Sequence, residues 1–356
     1  MKLFLVGGFL GSGKTTAILS AARQLMAQGK RVGVITNDQG KYLVDTAFFA
    51  AASVPAVEVT GGCFCCNYDD LDSRLDELVG STHPDAIFAE SVGSCADIVA
   101  TVVNPLRRLR ATASGFSVLV DSRLLLLRLR GQPLPFADEV VYLFDKQIEE
   151  TDLLVINKTD LLSADAVREI AALAQECFPA KRLHLQDARN DEHIRQWMAL
   201  AESTSGNALA SLDYERYGAG EAALAWLDEE VHIQLAGARG QTVLRDLLEA
   251  LLAELDRQGA TIGHIKVLAD DGIQTAKISV TTVAEPSWRS QIPDFQGGAL
   301  TIALNARVQM PAESLRASVA MAIGHISAAH GVRCDERQQQ SFHPAMPRPT
   351  HPGSRD

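Results

Sequence analysis

Gly8-Phe9-Leu10-Gly11-Ser12-Gly13-Lys14-Thr15 follows an apolar run at residues 2–6 and opens a stretch with helical spacing. Glycine at three of the eight positions lets the backbone curl with its N–H groups turned inward, and a helix N-terminus adds partial positive charge on the same side. This is the G-x-x-x-x-G-K-[ST] cradle for a phosphate chain, in the strand-to-helix context its chemistry requires. Gly8, Gly11, Ser12 and Gly13 are expected to line the cradle. Lys14 should neutralise the β and γ phosphates, Thr15 should place its hydroxyl on Mg²⁺, and Thr16 should reach the α phosphate.

Working outward, short Val, Ile and Leu runs alternate with helical patterns through the first 200 residues. Strands are expected at 2–6, 31–36, 56–59, 85–89, 116–121, 153–156 and 182–185. That alternation predicts an α/β fold, a P-loop NTPase sheet, mostly parallel, with helices on both faces. Residues 1–201 form the nucleotide domain in this reading, and the Ser/Gly/Asn-rich segment 202–220 is a linker. Residues 221–332 form a smaller C-terminal α+β domain with strands near 231–235, 262–268, 273–280 and 299–308. Residues 333–356, holding four prolines, His343 and His351, read as a flexible tail.

Asn157-Lys158-Thr159-Asp160 sits directly after the strand at 153–156, where a base pocket belongs. An Asp carboxylate accepts from both N1–H and the exocyclic amine of guanine, whereas adenine offers no donor at that edge, so Asp160 selects GTP over ATP. Lys158 lays its stem along the ring, and the backbone N–H of Ala188, after the next strand, is a donor for the guanine O6. On the phosphate side, Glu90-Ser91-Val92-Gly93 leaves another strand end. Glu90 is the magnesium-side carboxylate and Gly93 an N–H donor for the γ-phosphate. Asn37-Asp38-Gln39-Gly40 is a candidate switch, with Asp38 ordering the attacking water.

Gly61-Gly62-Cys63-Phe64-Cys65-Cys66 gathers three soft ligands within four residues. Thiolates suit Zn²⁺ or Cu(I), and a fourth ligand remains to be supplied by a carboxylate, water or partner. Asp69, Asp70, Asp72, Asp76 and Glu77 follow at once. Cys95, Cys177 and Cys334 are scattered and read as packing residues.

The 33 basic and 44 acidic residues leave a net charge of −11, which excludes a general attraction to nucleic acid or to an anionic membrane. No apolar run approaches the roughly 18 residues of a membrane span. The cysteine pattern and the lack of a cleavage region after residue 10 predict a cytoplasmic protein.

Taken together, residues 7–16, 37–40, 61–66, 90–93 and 157–160 resemble, in order and spacing, the CobW-like GTPases, relatives of the urease and hydrogenase nickel-insertion GTPases. The resemblance implies a slow GTPase that uses GTP, GDP and Mg²⁺, couples nucleotide state to delivery of a transition metal such as zinc or cobalt, and serves a client metalloprotein, with a homodimer as its assembly. Two departures from the family pattern stand out: Asn37-Asp38-Gln39 replaces a Glu-rich switch, and Asp97 stands where a proline is common. Two alternatives remain open. One is an activator of a cobalamin or corrinoid-dependent enzyme, and the other a metal sensor that keeps GTP as a structural ligand.

Overall fold

A strand whose residues are apolar on both sides must be covered on both sides. The computed structural model describes residues 1–38, 40, 44–110, 114–204, 206–283 and 286–352. In it the opening run is β1 (Lys2–Gly8), buried from Leu3 onward, and it continues into α1 (Lys14–Ala27). β2 (Val32–Asn37), α2 (Val44–Ala51) and β3 (Ala56–Val59) follow, then α3 (Tyr68–Thr82) and β4 (Ala86–Glu90). Next come α4 (Asn104–Arg110), β5 (Ser114–Asp121), α5 (Ser122–Leu129), α6 (Asp138–Glu150), β6 (Leu153–Asn157), α7 (Ala164–Cys177), β7 (Arg182–Leu185) and α8 (Asp191–Ala201).

Among the described residues the strands β1 to β7 form one parallel sheet in the order β3-β2-β4-β1-β5-β6-β7. β1 lies in the middle, so its carboxyl end is flanked by those of β4 and β5, the crevice where parallel sheets hold ligands. Capping differs between the helices in a way that matters there. Ser163 caps α7 and Asn190 caps α8 through their side chains, whereas α1 starts from Gly13 in the left-handed region with no side-chain cap. The first-turn N–H groups of α1 are thereby left to face the loop.

The chain divides into two compact units, Met1–Gln39 with Ala52–Gly220 and Met346–Asp356, and Gly40–Ala51 with Glu221–Ala345. The second contains β8 (Ala225–Gln234), α10 (Gly240–Arg257), β9 (Thr261–Asp270), β10 (Thr275–Thr281), β11 (Ala299–Gln309), α11 (Ala312–His330) and β12 (Arg333–Phe342); α9 (Tyr214–Ala222) precedes β8. Its antiparallel sheet, in the order β10-β9-β11-β8-β12, packs Ile233, Val267, Ile278 and Leu304 with Leu248 of α10 and Ile326 of α11. Each such side chain contributes about 1.5–3 kcal/mol by leaving water.

The opposite face is polar and takes α2. Asp45 pairs with Lys266 and, at 2.9 Å, with Lys277, whose ammonium also lies 4.1 Å from the centre of the Phe48 ring. On the same face Asp228 accepts from Asn305, and Arg307 lies over the Trp226 ring at 3.3 Å. Three sequence expectations change here. Residues 333–342 are not a tail but the edge strand β12, antiparallel to β8. Edge strands are kept polar, which is why Arg333 to Gln340 showed no apolar alternation. Residues 202–220 are not a free linker, since Leu209, Leu212 and Tyr217 pack with Leu143 and residues 214–222 are helical; Ser205 lies outside the described residues. Residues 40–51, expected in the nucleotide domain, belong to the second unit. No helix of the described residues is long and apolar enough to cross a membrane.

Burial would raise the Asp45 carboxyl, but Lys266 and Lys277 hold it far below the usual carboxylate range. Its contribution is therefore complete above its unfolded value of about 3.9 and fades as the pH falls below that. Asp45→Ala, which takes the paired carboxylate from two lysines, is expected to cost about 3–5 kcal/mol at pH 7. Urea unfolding at pH 7 and pH 3 checks this: the gap from the parent protein should narrow in acid, and equal midpoints at pH 7 would show the triad to be neutral.

Candidate nucleotide and thiol site

The phosphate loop is shaped by contacts that only glycine permits. Gly8 (φ +133°) passes so close to β5 that a Cβ would sit 2.1 Å from the Leu119 carbonyl oxygen. Gly13 (φ +89°) would place a Cβ 2.5 Å from Nδ2 of Asn157. Lys14 Nζ donates to the Gly8 carbonyl at 2.8 Å, folding the ammonium back over the loop. Thr15 Oγ1 donates to Glu90 Oε1 at 3.0 Å, bringing together the two oxygen donors assigned to Mg²⁺. Hard oxygen ligands of this kind suit that ion. Glu90 caps no helix, because the next helical turn begins at Val99. Thr16 is exposed, one residue beyond.

The base side is braced to the same loop. Asn157 is fully buried and donates Nδ2 to the Ser12 carbonyl at 2.7 Å, so its place is to tie the β6 end to the cradle. Lys158 is left-handed (φ +63°) and its Nζ lies 3.3 Å from Asp121, a residue the sequence reading did not single out. Asp121 caps α5 and pairs with Arg123 at 2.6 Å. Burial would raise its carboxyl, but the Arg123 hydrogen bond and the Lys158 charge hold it below the ordinary range. An Asp between a strand end and a helix start was the available signal. Asp160 is pushed upward by burial and by the charge of Asp187, a strain that two ligand N–H donors would relieve. Ala188 is buried beside α1, with Ser20 Oγ donating to its carbonyl at 2.7 Å.

The cysteine turn is fastened to β2. Asn37 Nδ2 donates to the carbonyls of Val59 at 3.1 Å and Gly62 at 2.7 Å, and Asn37 Oδ1 accepts from the Phe64 N–H at 2.8 Å. Asp38 is the next residue, and its N–H bonds to the Val59 carbonyl at 3.2 Å. Gln39 of the expected switch lies outside the described residues. Within the turn Cys63 Sγ is 2.7 Å from Cys65 Sγ and 3.4 Å from Cys66 Sγ, with 3.8 Å between Cys65 and Cys66. A tetrahedral zinc–thiolate site, with Zn–S of about 2.3 Å, has sulfur–sulfur edges of about 3.8 Å. Two of the edges are near that length, and the third has to open.

Thiol contact splits the three. Hydrogen bonds from Cys65 and Cys66 draw Cys63 well below the ordinary thiol range, while bonding to Cys63 pushes Cys65 up and Cys66 up to about 11. The carboxylates at 69, 70, 72, 76 and 77 lie along α3, and the metal-capable group among the described residues is the three sulfurs. The segment after β12 also differs from a solvated tail. The Thr350 N–H bonds to the Cys65 carbonyl at 2.8 Å, Thr350 Oγ1 donates to the Cys66 carbonyl at 3.0 Å, and the Arg348 N–H donates to Cys66 Sγ at 3.2 Å. His351 stands edge-on to Tyr68, ring centres 4.5 Å apart. His343 accepts from the Ala312 N–H at the start of α11, a structural role. Residues 353–356 of the expected tail lie outside the described residues.

Residues 2–184 match the family described as CobW/HypB/UreG, nucleotide-binding domain. The chain belongs to this family. Zinc chaperone CobW of Sinorhizobium sp is 30% identical over 189 residues, 47% of this chain and 53% of that protein. Zinc chaperone YeiR of Escherichia coli K12 is 29% identical over 201 residues, 53% and 56% respectively. Urease accessory protein UreG of Mycobacterium sp. strain KMS is 32% identical over 166 residues, 44% of this chain and 63% of its own. The chain thus spans about half the length of the two zinc chaperones. Among solved structures, the hydrogenase maturation factor HypB of Archaeoglobus fulgidus aligns with 56% of this chain and 88% of its own at 18% identity, TM-score 0.41.

As a CobW/HypB/UreG-family chain with this loop, the Lys14→Ala variant is expected to lose tight nucleotide binding while keeping its circular dichroism spectrum. Asp160→Ala should lower the preference for GTP over ATP by about a hundredfold or more, the worth of two charge-assisted hydrogen bonds. Titration calorimetry with both nucleotides reads each effect; an Asp160→Ala protein that still rejects ATP would place the base elsewhere.

Proposed function

We propose that this chain is a GTP-hydrolysing metallochaperone, in which nucleotide state governs how tightly Cys63, Cys65 and Cys66 hold a transition metal, with zinc the first choice. The pair of hydrogen bonds by which Asn37 donates to the Gly62 carbonyl and accepts from the Phe64 N–H is the observation that carries the reading, since it joins the thiol turn to the strand end that bears Asp38. Two of its relatives, CobW and YeiR, are zinc chaperones, which points the same way.

GTP would enter with its phosphates against the loop N–H groups and the α1 terminus. Lys14 would exchange the Gly8 carbonyl for the β and γ phosphates, a charge-assisted contact in place of a neutral one. Thr15 and Glu90 would hold Mg²⁺, which draws charge from the phosphate oxygens when bound. Asp38 would orient the attacking water, and the Gly93 N–H would meet the γ-phosphate. Loss of that phosphate would free Asp38, and Asn37 would pass the change to the turn. Metal is then released to a client metalloprotein, whose capture follows from thiolate exchange rather than from nucleic acid or membrane contact.

A coupling of this kind is typically worth 1–3 kcal/mol, about 5- to 150-fold in affinity. Zinc affinity measured by chelator competition should therefore differ by such a factor between a non-hydrolysable GTP analogue and GDP. Asn37→Ala should bring the ratio toward one while both ligands still bind. Equal affinities in the parent protein would remove the switch, and an unchanged ratio in Asn37→Ala would route it elsewhere.

A further inference from the structure

Cys95 stands 29 positions beyond Cys66 in the sequence and reads there as a core residue. In the structure it is 2% exposed, and its thiol is in hydrogen-bonding contact with both Cys63 and Cys65. It therefore meets the thiol turn from a different element, the loop that follows β4. That loop starts directly after Glu90 and contains Gly93.

The loop is held at both ends. Gly93 packs against the phosphate loop so tightly that a Cβ would lie 3.1 Å from both Leu10 N and Leu10 Cα. The Cys95 N–H bonds to the Val92 carbonyl at 3.1 Å, closing a turn around Gly93. Gln147, buried on α6, donates Nε2 to the Gly93 carbonyl at 3.0 Å and to the Cys95 carbonyl at 2.8 Å. One side-chain amide thus clamps the glycine that faces Leu10 and the cysteine that faces the thiols. The two carbonyls cannot move apart without breaking one of these bonds.

Three protein thiolates leave one corner of a tetrahedron open, and structural zinc sites close it with a fourth protein ligand. We propose that Cys95 is that ligand, so that zinc is held by Cys63, Cys65, Cys66 and Cys95, and the Glu90–Cys95 loop is the second arm that links the γ-phosphate to the metal. This rests on the metal-binding reading of the preceding section. The first arm, through Asn37, holds the turn from β2. The second sets the fourth ligand from β4, so a shift of Gly93 by a ligand at the phosphate loop changes the coordination number directly.

His351 is the competing donor. It lies beside Tyr68, and its Nε2 bonds nothing among the described residues; like Cys95 it stands outside the close group of Cys63, Cys65 and Cys66, but Cys95 touches two of those thiols. The two donors differ in what they would do to a spectrum, because sulfur and nitrogen set different ligand fields on cobalt.

The test is titration of the full chain with Co²⁺ and with Zn²⁺ under anaerobic conditions, on the parent, Cys95→Ser, His351→Ala and Cys65→Ser proteins. Cys95→Ser should shift the cobalt d–d bands to higher energy and lower the sulfur-to-cobalt charge-transfer intensity. It should also weaken zinc binding by at least the roughly tenfold that follows loss of even an outer-shell partner. His351→Ala should leave the bands in place. X-ray absorption of the zinc-loaded parent, which needs no variant, should count four sulfur neighbours at about 2.3 Å. Three sulfurs with one nitrogen, or bands that move in His351→Ala and not in Cys95→Ser, would overturn the assignment. A parent protein whose cobalt complex shows no thiolate charge transfer, and for which Cys65→Ser changes nothing, would remove the cysteine metal site itself and this inference with it.

Discussion

Gly8 runs beneath the Leu119 carbonyl of the neighbouring strand with no room for a side chain, and Gly13 runs beside the Asn157 amide in the same way. These two close approaches determine where the phosphate loop lies relative to β5 and β6. Once the loop is there, Asn157 can reach the Ser12 carbonyl, Lys158 can lie over Gly13 from its left-handed position, and Glu90 at the end of β4 can meet Thr15. An alanine at either glycine would force backbone or a buried amide to move, and would disturb the base side and the magnesium side together. Rigidity of this kind would pass a small displacement of the loop to its neighbours, because packed elements shift between discrete arrangements instead of yielding gradually.

The thiol turn has contacts through which such a displacement would travel. Cys63, Cys65 and Cys66 sit on a segment of their own, yet Asn37 binds that segment on two sides, and Thr350 and Arg348 cover it from the C-terminal stretch. None of these partners is close in sequence. The sulfurs are crowded and mostly buried, so each is influenced more by its neighbouring thiols than by water. A soft cation entering there would replace S–H donation with coordination and open the short Cys63–Cys65 approach.

Local patterns were readable and through-space ones were not. The glycine spacing at 8, 11 and 13, the Asn157 to Asp160 run and the apolar runs of β1, β4, β5 and β6 each carry their meaning within a few residues. β12 was missed because an edge strand buries little and so has no apolar period. The opening of β8 was hidden by Asp228, Glu229 and Glu230; Asp228 accepts from Asn305 and Glu229 from Gln339, both from other strands. Leu209, Leu212 and Tyr217 anchor a glycine- and serine-rich stretch one side chain at a time, which leaves no helical signature. Asn37, Gln147 and Cys95 acquire their significance only from what the sheet order brings beside them.

The second unit is discontinuous: α2, sandwiched in sequence between β2 and β3, lends Asp45 and Phe48 to a sheet made otherwise from residues beyond 220. A cut after Gly220, by a protease or by recombination, would put Asp45 and both of its lysines on separate chains. The two units are therefore not interchangeable modules. Any exchange of the C-terminal half with a homologue has to carry residues 40–51 along with it, so divergence in that half is constrained by a short stretch lying far upstream.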